Sequence, residues 1–325
     1  MGRNSAITWT THTWNPWYGC HRVSSGCANC YALKELKQYN LLERNARRAA
    51  LLGETVTVAP IQRSRTTFDA PLSWAKRVQQ PGSERVFTCS WSDFFLPEAD
   101  GWRNEAWDII RATPQLTYLI LTKRPELVMD RLPKDWGRGW SHVWLGASIE
   151  NQAAANHRLP ILMELPAVHR FVSCEPLLGP VSLVAAAPVL PMFQHTIQRR
   201  MPNLLAATRQ AQWQSFEHTI HWVIAGGESG PAARPCDPEW VRALWAELHP
   251  HIPFYFKQWG EWLPHDQQPA QGEPAPDPEF AYCRMGKRAA GYLLDGQVVQ
   301  QFPRQFAQHA APAPSAHVSG EGSSS

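Results

Sequence analysis

The sequence predicts an α/β protein, a full or partial (β/α) barrel of the TIM type with parallel strands, on three observations. Short apolar runs alternate with helical runs through six or seven units. Nearly every apolar run ends in charged or hydroxyl residues, which is where such barrels gather their chemistry. A Gly/Ser-rich loop with three of the seven cysteines follows the first apolar run, near Ile7–Trp9.

Taken in order, Tyr31 to about Ala50 carries Leu33, Leu36, Leu41 and Leu42 near helical spacing and reads as the first helix. Phe68-Asp69-Ala70-Pro71 offers a helix start leading into Leu72–Val78, and Pro81-Gly82 stops it. Arg85–Cys89 is strand-like and ends in Ser90-Trp91-Ser92-Asp93, before a helix from about Trp102 to Ala112. Leu116–Leu121 is a strand ending in Thr122-Lys123-Arg124, with a helix through Met129. Val143–Gly146 ends in Ala147-Ser148-Ile149-Glu150-Asn151, with a helix from about Ala153 to Glu164. His169–Val172 leads to Ser173-Cys174-Glu175-Pro176, and Trp222–Ala225 to Gly226-Gly227-Glu228-Ser229. Asp237-Pro238-Glu239 opens a helix over Trp240–Leu248, and Phe254–Phe256 leads to Lys257-Gln258-Trp259. Strand and helix alternating this regularly require crossover connections and hence parallel pairing.

The barrel is expected over residues 1–263, with an insertion at about 185–218 that carries Pro188, Pro191, Pro202, Arg199, Arg200 and Arg209. Residues 264–306 read as an exposed loop and a small C-terminal appendage, and 307–325 as a disordered tail poor in apolar side chains. The 325 residues can bury a sizeable core, and the formal charge of +3 gives no global argument for nucleic acid. Cysteines are few and form no disulfide framework, no cleavable leader precedes the cysteine loop, and no apolar run approaches the roughly 20 residues of a membrane helix. A soluble, cytoplasmic protein is expected. Most of the 16 tryptophans serve as core packing, with a base-stacking platform the sharper alternative for Trp91 or Trp259.

The cysteine loop runs Thr13-Trp14-Asn15-Pro16-Trp17-Tyr18-Gly19-Cys20-His21-Arg22-Val23-Ser24-Ser25-Gly26-Cys27-Ala28-Asn29-Cys30-Tyr31-Ala32. Thiolates suit iron–sulfur clusters or zinc, and three of them leave a fourth position open to a substrate or cofactor. A structural zinc site completed by His12 or His21 is the competing reading. Zinc sites of that kind show two paired knuckles, whereas this chain has one CxxC and no partner pair, which favours a cluster.

Thr13–Ala32 resembles the signature of a phage- and prophage-associated family of three-Cys-motif proteins, divergent relatives of the radical S-adenosylmethionine (radical SAM) enzymes. Ile120-Leu121-Thr122-Lys123-Arg124-Pro125-Glu126, Glu175-Pro176-Leu177-Leu178-Gly179-Pro180, Gly226-Gly227-Glu228-Ser229-Gly230 and Phe256-Lys257-Gln258-Trp259-Gly260 resemble that family too. The resemblance implies a radical SAM-like barrel and a [4Fe-4S] cluster held by Cys20, Cys27 and Cys30, with S-adenosylmethionine on the remaining iron. It also implies an external electron donor and a separately encoded three-Cys-motif partner protein. The superfamily usually spaces its cysteines with gaps of three and two, and here the first gap is six. The Cys27–Tyr31 end resembles spore photoproduct lyase, which raises nucleic-acid repair or modification as the chemistry. Gly226-Gly227-Glu228 resembles the superfamily's Gly-Gly-Glu, moved from the second strand to a late one.

Candidate cofactor or substrate contacts are Lys123, Ser148, Glu150, Glu175, Gly226, Gly227, Glu228 and Lys257. The two glycines would let backbone approach a ligand, Glu228 would bond an amine or ribose hydroxyl, and the two lysines suit a carboxylate or phosphate. No Ser/His/Asp constellation or phosphate loop is visible, so hydrolase and P-loop readings lack support. The alternative from another class is a non-catalytic, zinc-stabilised barrel that binds nucleic acid or a protein partner.

Overall fold

A computed structural model describes residues 4–32, 61–194 and 204–304. The helix expected at Tyr31–Ala50 lies almost wholly outside them, as do Arg199, Arg200 and the tail 307–325.

The chain opens with β1 (His12–Trp14) and the short β2 (Trp17–Tyr18), which pairs antiparallel with β3 (Gln62–Arg63). Helix α1 (Ala70–Ala75), with Pro71 in its first turn, leads to β4 (Glu84–Thr88). Then come α2 (Asp100–Ala112), β5 (Leu116–Thr122) and β6 (Val143–Ser148). The Asn151 side chain accepts from the Ala154 amide and so caps α3 (Gln152–Glu164), which returns the chain to β7 (His169–Cys174). Two helices, α4 (Leu183–Ala186) and α5 (Leu204–Thr219), precede β8 (Trp222–Ala225). Asp237 caps α6 (Pro238–Leu248), and β9 (Phe254–Phe256) ends the repeating part.

Among the described residues the main sheet has seven parallel strands in the order β1-β4-β5-β6-β7-β8-β9. Strands that add in chain order without reversal put every right-handed crossover on the same face. The sheet therefore curls around its other face into a half-barrel. It does not close, because β1 and β9 do not pair; the full barrel gives way to the partial one. The free edge of β9 is instead met by the C-terminal chain, with the Phe256 amide donating to Val299 O at 2.7 Å and the Gln301 amide to Phe254 O at 2.9 Å.

Side-chain alternation divides the core. Outward residues such as Val86, Tyr118, Leu145, Val172 and Val223 pack under the helices. Inward residues Phe87, Leu119, Trp144, Phe171, Trp222 and Tyr255 meet Trp9 in a second cluster, with Trp9 and Phe87 rings 4.7 Å apart. That cluster fills the concave floor, with Arg85 and His169 on its amino-end side and the polar strand ends on the other.

Three expectations change. Ile7–Trp9 is a turn rather than a strand: the Thr10 amide donates back to Ile7 O, and the Thr10 and Thr11 hydroxyls donate to Arg85 O, so Trp9 leaves the sheet edge and enters the interior. The helix expected after β5 is a pair of 3-10 turns, Pro125–Leu127 and Met129–Arg131, cut short between Pro125 and Pro133. The described part of 185–218 supplies α5, a crossover helix that buries Ala207, Ala211 and Phe216.

Beyond β9, β10 (Trp262–Pro264) pairs antiparallel with β11 (Tyr282–Arg284), followed by α7 (Lys287–Ala290) and the hairpin of β12 (Leu293–Leu294) and β13 (Gln297–Val298). Leu263, Ala290, Leu294 and Val299 join the main core, so this part packs onto the half-barrel. Among the described residues no helix is long and apolar enough to cross a membrane.

Candidate metal centre

The segment between β1 and the cysteines is built to lay the loop over the strand ends. Asn15 ties β1 to the end of β4, accepting from the Trp91 amide at 2.8 Å and donating to the Ser90 hydroxyl at 2.9 Å. Gly19, at φ +101°, turns the chain; its amide donates to Trp91 O and its carbonyl accepts from the Ser92 hydroxyl at 2.6 Å. A 3-10 turn over Ser25–Cys27 then carries the second cysteine. Cys27 is buried, while Cys20 and Cys30 are half-buried.

Arg124, after β5, grips the front of the loop. It donates through Nη2 to His21 O at 2.6 Å, while Nη1 lies 3.9 Å from Cys20 Sγ and 3.2 Å from Asp93 Oδ2. Asp93 is fully engaged, accepting also from the Thr122 hydroxyl and from the Lys123 and Phe95 amides. Burial pushes the Cys20 thiol up to about 12; Asp93 adds to the rise and Arg124 offsets part of it. Cys20 is thus a protonated thiol that a metal has to deprotonate to bind.

The middle of the loop lies on the end of β6. Gly26 packs on Glu150, where an added Cβ would come within 3.2 Å of the carboxyl carbon. Glu150 is 1% exposed and pairs with Arg158 at 2.7 Å. Burial opposes its ionisation, yet the Ser24 hydroxyl and the Arg158 and Lys123 charges hold its carboxyl below the usual range. The back of the loop lies on the end of β8, where Asn29 donates to Glu228 and Ala232 O.

Four of the expected contacts gather on the inner rim. Glu175 Oε1 pairs with Lys257 Nζ at 2.9 Å, and Oε2 accepts from Trp9 Nε1 at 3.3 Å and the Ser173 hydroxyl at 3.4 Å. Ser148 is buried beside Ser173 in register, and Lys123 is half-buried with its charge felt at Glu150. The two glycines are closely packed against neighbouring chain. A Cβ on Gly226 would lie 3.0 Å from Glu175 Oε1, and one on Gly227 would lie 1.8 Å from the Trp259 carbonyl O. Their smallness serves close packing of β8's end on the chain after β9. Trp259 is fully buried with its indole N–H on Leu293 O, so it is core and not a stacking platform.

Donor chemistry can be tested against the two metal readings. His12 pairs with Glu84 and His21 with Glu98 through Nε2, and His12 Nδ1 is buried without a hydrogen-bond partner; a carboxylate on one ring nitrogen leaves the other able to ligate. Among the described residues no three His, Cys, Asp or Glu side chains gather closely enough to hold one metal ion. A tetrahedral ion with bonds of about 2.3 Å needs its sulfurs about 4 Å apart, whereas cluster thiolates each bond a different iron and stand further apart. Among the described residues the three thiols do not gather into a site for a single ion, and three thiolates are a donor set that a cluster can take.

Sequence reasoning missed Arg158, Arg234 and Asn29. Arg234 donates from Nη2 to Glu228 Oε1 at 2.6 Å and to Ser25 O at 3.0 Å. The available signal was indirect: a carboxylate buried at a strand end needs a cation, and each of these glutamates finds its arginine within eight residues. A family described as Protein of unknown function (DUF5131) matches residues 4–303 of this chain. No curated protein and no solved structure matches it.

Proposed function

The chain belongs to that family of unknown function, and we propose that it is a radical SAM-like enzyme, holding a [4Fe-4S] cluster through Cys20, Cys27 and Cys30 and S-adenosylmethionine at the strand-end mouth. One observation carries the reading: a loop with three thiols is pinned across the polar strand-end mouth of a parallel half-barrel. Held by Cys20, Cys27 and Cys30, a reduced cluster would supply one-electron reduction of a bound sulfonium, chemistry that belongs to the cofactor while the chain's residues bind, orient and shield.

The chain's own residues account for binding and shielding. Arg124 places a cation against Cys20 and offsets the negative charge that three thiolates bring to a half-buried site. Glu175 and Lys257 present a carboxylate and an ammonium on the rim, suited to the amino and carboxylate ends of an amino-acid moiety. Glu150 Oε1 is buried with no hydrogen-bond partner of its own, leaving acceptor capacity for a ligand N–H or O–H. Below them Trp144, Phe171 and Trp222 exclude water from the floor, which protects reactive species.

The likeness to spore photoproduct lyase puts nucleic-acid repair or modification first. An external electron donor and a three-Cys-motif partner protein complete the proposal. Anaerobic reconstitution with iron and sulfide tests it: a brown protein with about four irons per chain is expected, and Cys27→Ala should lose the colour. A colourless protein with one zinc per chain would favour the zinc-stabilised binding module.

A further inference from the structure

We infer that Glu228, together with Arg234 and Asn29, is a positioning element for the cysteine loop and not a ligand-binding carboxylate. Hydrogen-bond capacity makes the case. An ionised carboxylate offers about four acceptor sites. Glu228 Oε1 takes Arg234 Nη2 at 2.6 Å, and Oε2 takes Arg234 Nε at 2.8 Å, the Arg234 amide at 2.9 Å and Asn29 Nδ2 at 3.1 Å. Four donors engage both oxygens, three of them on Oε2, and the side chain is 5% exposed. Glu150, by contrast, keeps one oxygen unclaimed.

Each donor also reaches onward to fix the loop. The guanidinium that holds Glu228 donates to Ser25 O at 3.0 Å, and Asn29 donates a second time to Ala232 O at 2.7 Å. Ser25 and Asn29 flank Cys27, and Asn29 directly precedes Cys30. The glutamate is presented rigidly, because a Cβ on Gly260 would lie 2.0 Å from the Glu228 carbonyl O and one on Gly227 would lie 1.8 Å from Trp259 O. Arg124 holds the Cys20 end, and the Glu228 group holds the Cys27 and Cys30 end at the strand mouth beside the packing of Gly26 on Glu150 and the Tyr31 hydroxyl, which donates to Ser90 O at 2.9 Å. The geometry concerns the loop itself; only its purpose rests on the cluster reading, and the following test needs no cluster.

The seven cysteines provide their own control. In the full chain, with any bound metal removed by a chelator, iodoacetamide labelling is followed cysteine by cysteine by mass spectrometry for Asn29→Ala and Glu228→Gln. Asn29→Ala removes two loop hydrogen bonds without changing charge, so thiol ionisation is little disturbed. Both variants should speed labelling of Cys27 and Cys30 about tenfold, the effect of losing one to two net hydrogen bonds on local opening. The buried Cys89, Cys174 and Cys236 should label at the parent rate. Rates at Cys27 and Cys30 within about twofold of the parent overturn the inference. So does equal acceleration of all seven, which would make the group a contributor to overall stability alone.

Discussion

Replacing Gly227 by Ala separates a glycine kept for ligand approach from one kept for packing. The new Cβ would lie 1.8 Å from the Trp259 carbonyl O and 2.5 Å from its carbonyl carbon, and the obstacle is backbone, which cannot rotate away. An ordinary contact is about 3.5 Å or more, so the two chains must part by roughly 1.5 Å. That movement strains the Gly227 amide bond to Gln258 O at 2.8 Å, the Glu261 amide bond to Glu228 O at 3.1 Å and the Trp259 amide bond to Gly291 O at 3.0 Å. At about 1 kcal/mol net for each bond, with overpacking around the fully buried Trp259 adding about 1–2 kcal/mol, the loss comes to about 4–5 kcal/mol. For a chain of this size that lowers the melting temperature by roughly 6–10 °C. Urea and thermal unfolding of the metal-free chain measure it, and Gly101→Ala is the contrast. Gly101 lies in α2 with nothing within 4 Å of the added methyl, and the exchange should raise stability by up to about 1 kcal/mol. A Gly227→Ala protein within about 1 kcal/mol of the parent would refute the packing account.

Asp93→Asn should cost about 3–5 kcal/mol, because it strands Arg124 in a pair whose side chains are 5% and 8% exposed; the urea midpoint measures the loss. The same variant should speed labelling of Cys20 more than that of Cys30, since Arg124 is its link to the loop. Stability should also fall on mild acidification. Burial, with His221 alongside, pulls the His169 imidazole from 6.5 down to about 4. The unfolded chain therefore takes up a proton that the folded chain refuses, and stability present above pH 6.5 is lost progressively toward pH 4, by at most about 3 kcal/mol. His169→Phe, which keeps a ring on Trp144, should flatten that slope in urea titrations at pH 7, 6 and 5, and an unchanged slope would count against it. At lower pH, Glu150 and Glu228, held below the usual carboxylate range, add a second loss as they protonate.

The half-barrel was legible because its strands are buried on both faces and read as near-continuous apolar runs. Trp222–Ala225 and Phe254–Phe256 match residue for residue, and Leu116–Leu121 is extended by one. The first strand was misplaced by five residues because Trp9 resembles a strand residue and is in fact an interior plug, a role fixed by Phe87 and Trp222 far along the chain. Closure was illegible for a related reason: whether β1 meets β9 depends on accumulated curl, not on any local pattern. In the site, the polar strand ends were readable one at a time, and the structure sets Glu150 and Glu228 against the cysteine loop and pairs Glu175 with Lys257 on the inner rim. What each does was not readable, because it depends on the opposite partner. Gly227 is explained by Trp259, and Glu228 by an arginine in a Pro-rich loop that carries no motif.

The central claim is that the cysteine loop organises radical chemistry on S-adenosylmethionine. The direct measurement is the yield of 5′-deoxyadenosine from the anaerobically reconstituted chain after reduction with dithionite in the presence of S-adenosylmethionine. The account predicts formation that requires both cluster and reductant and disappears in Cys20→Ala, Cys27→Ala and Cys30→Ala. A fully loaded, reduced protein that leaves S-adenosylmethionine intact would contradict it.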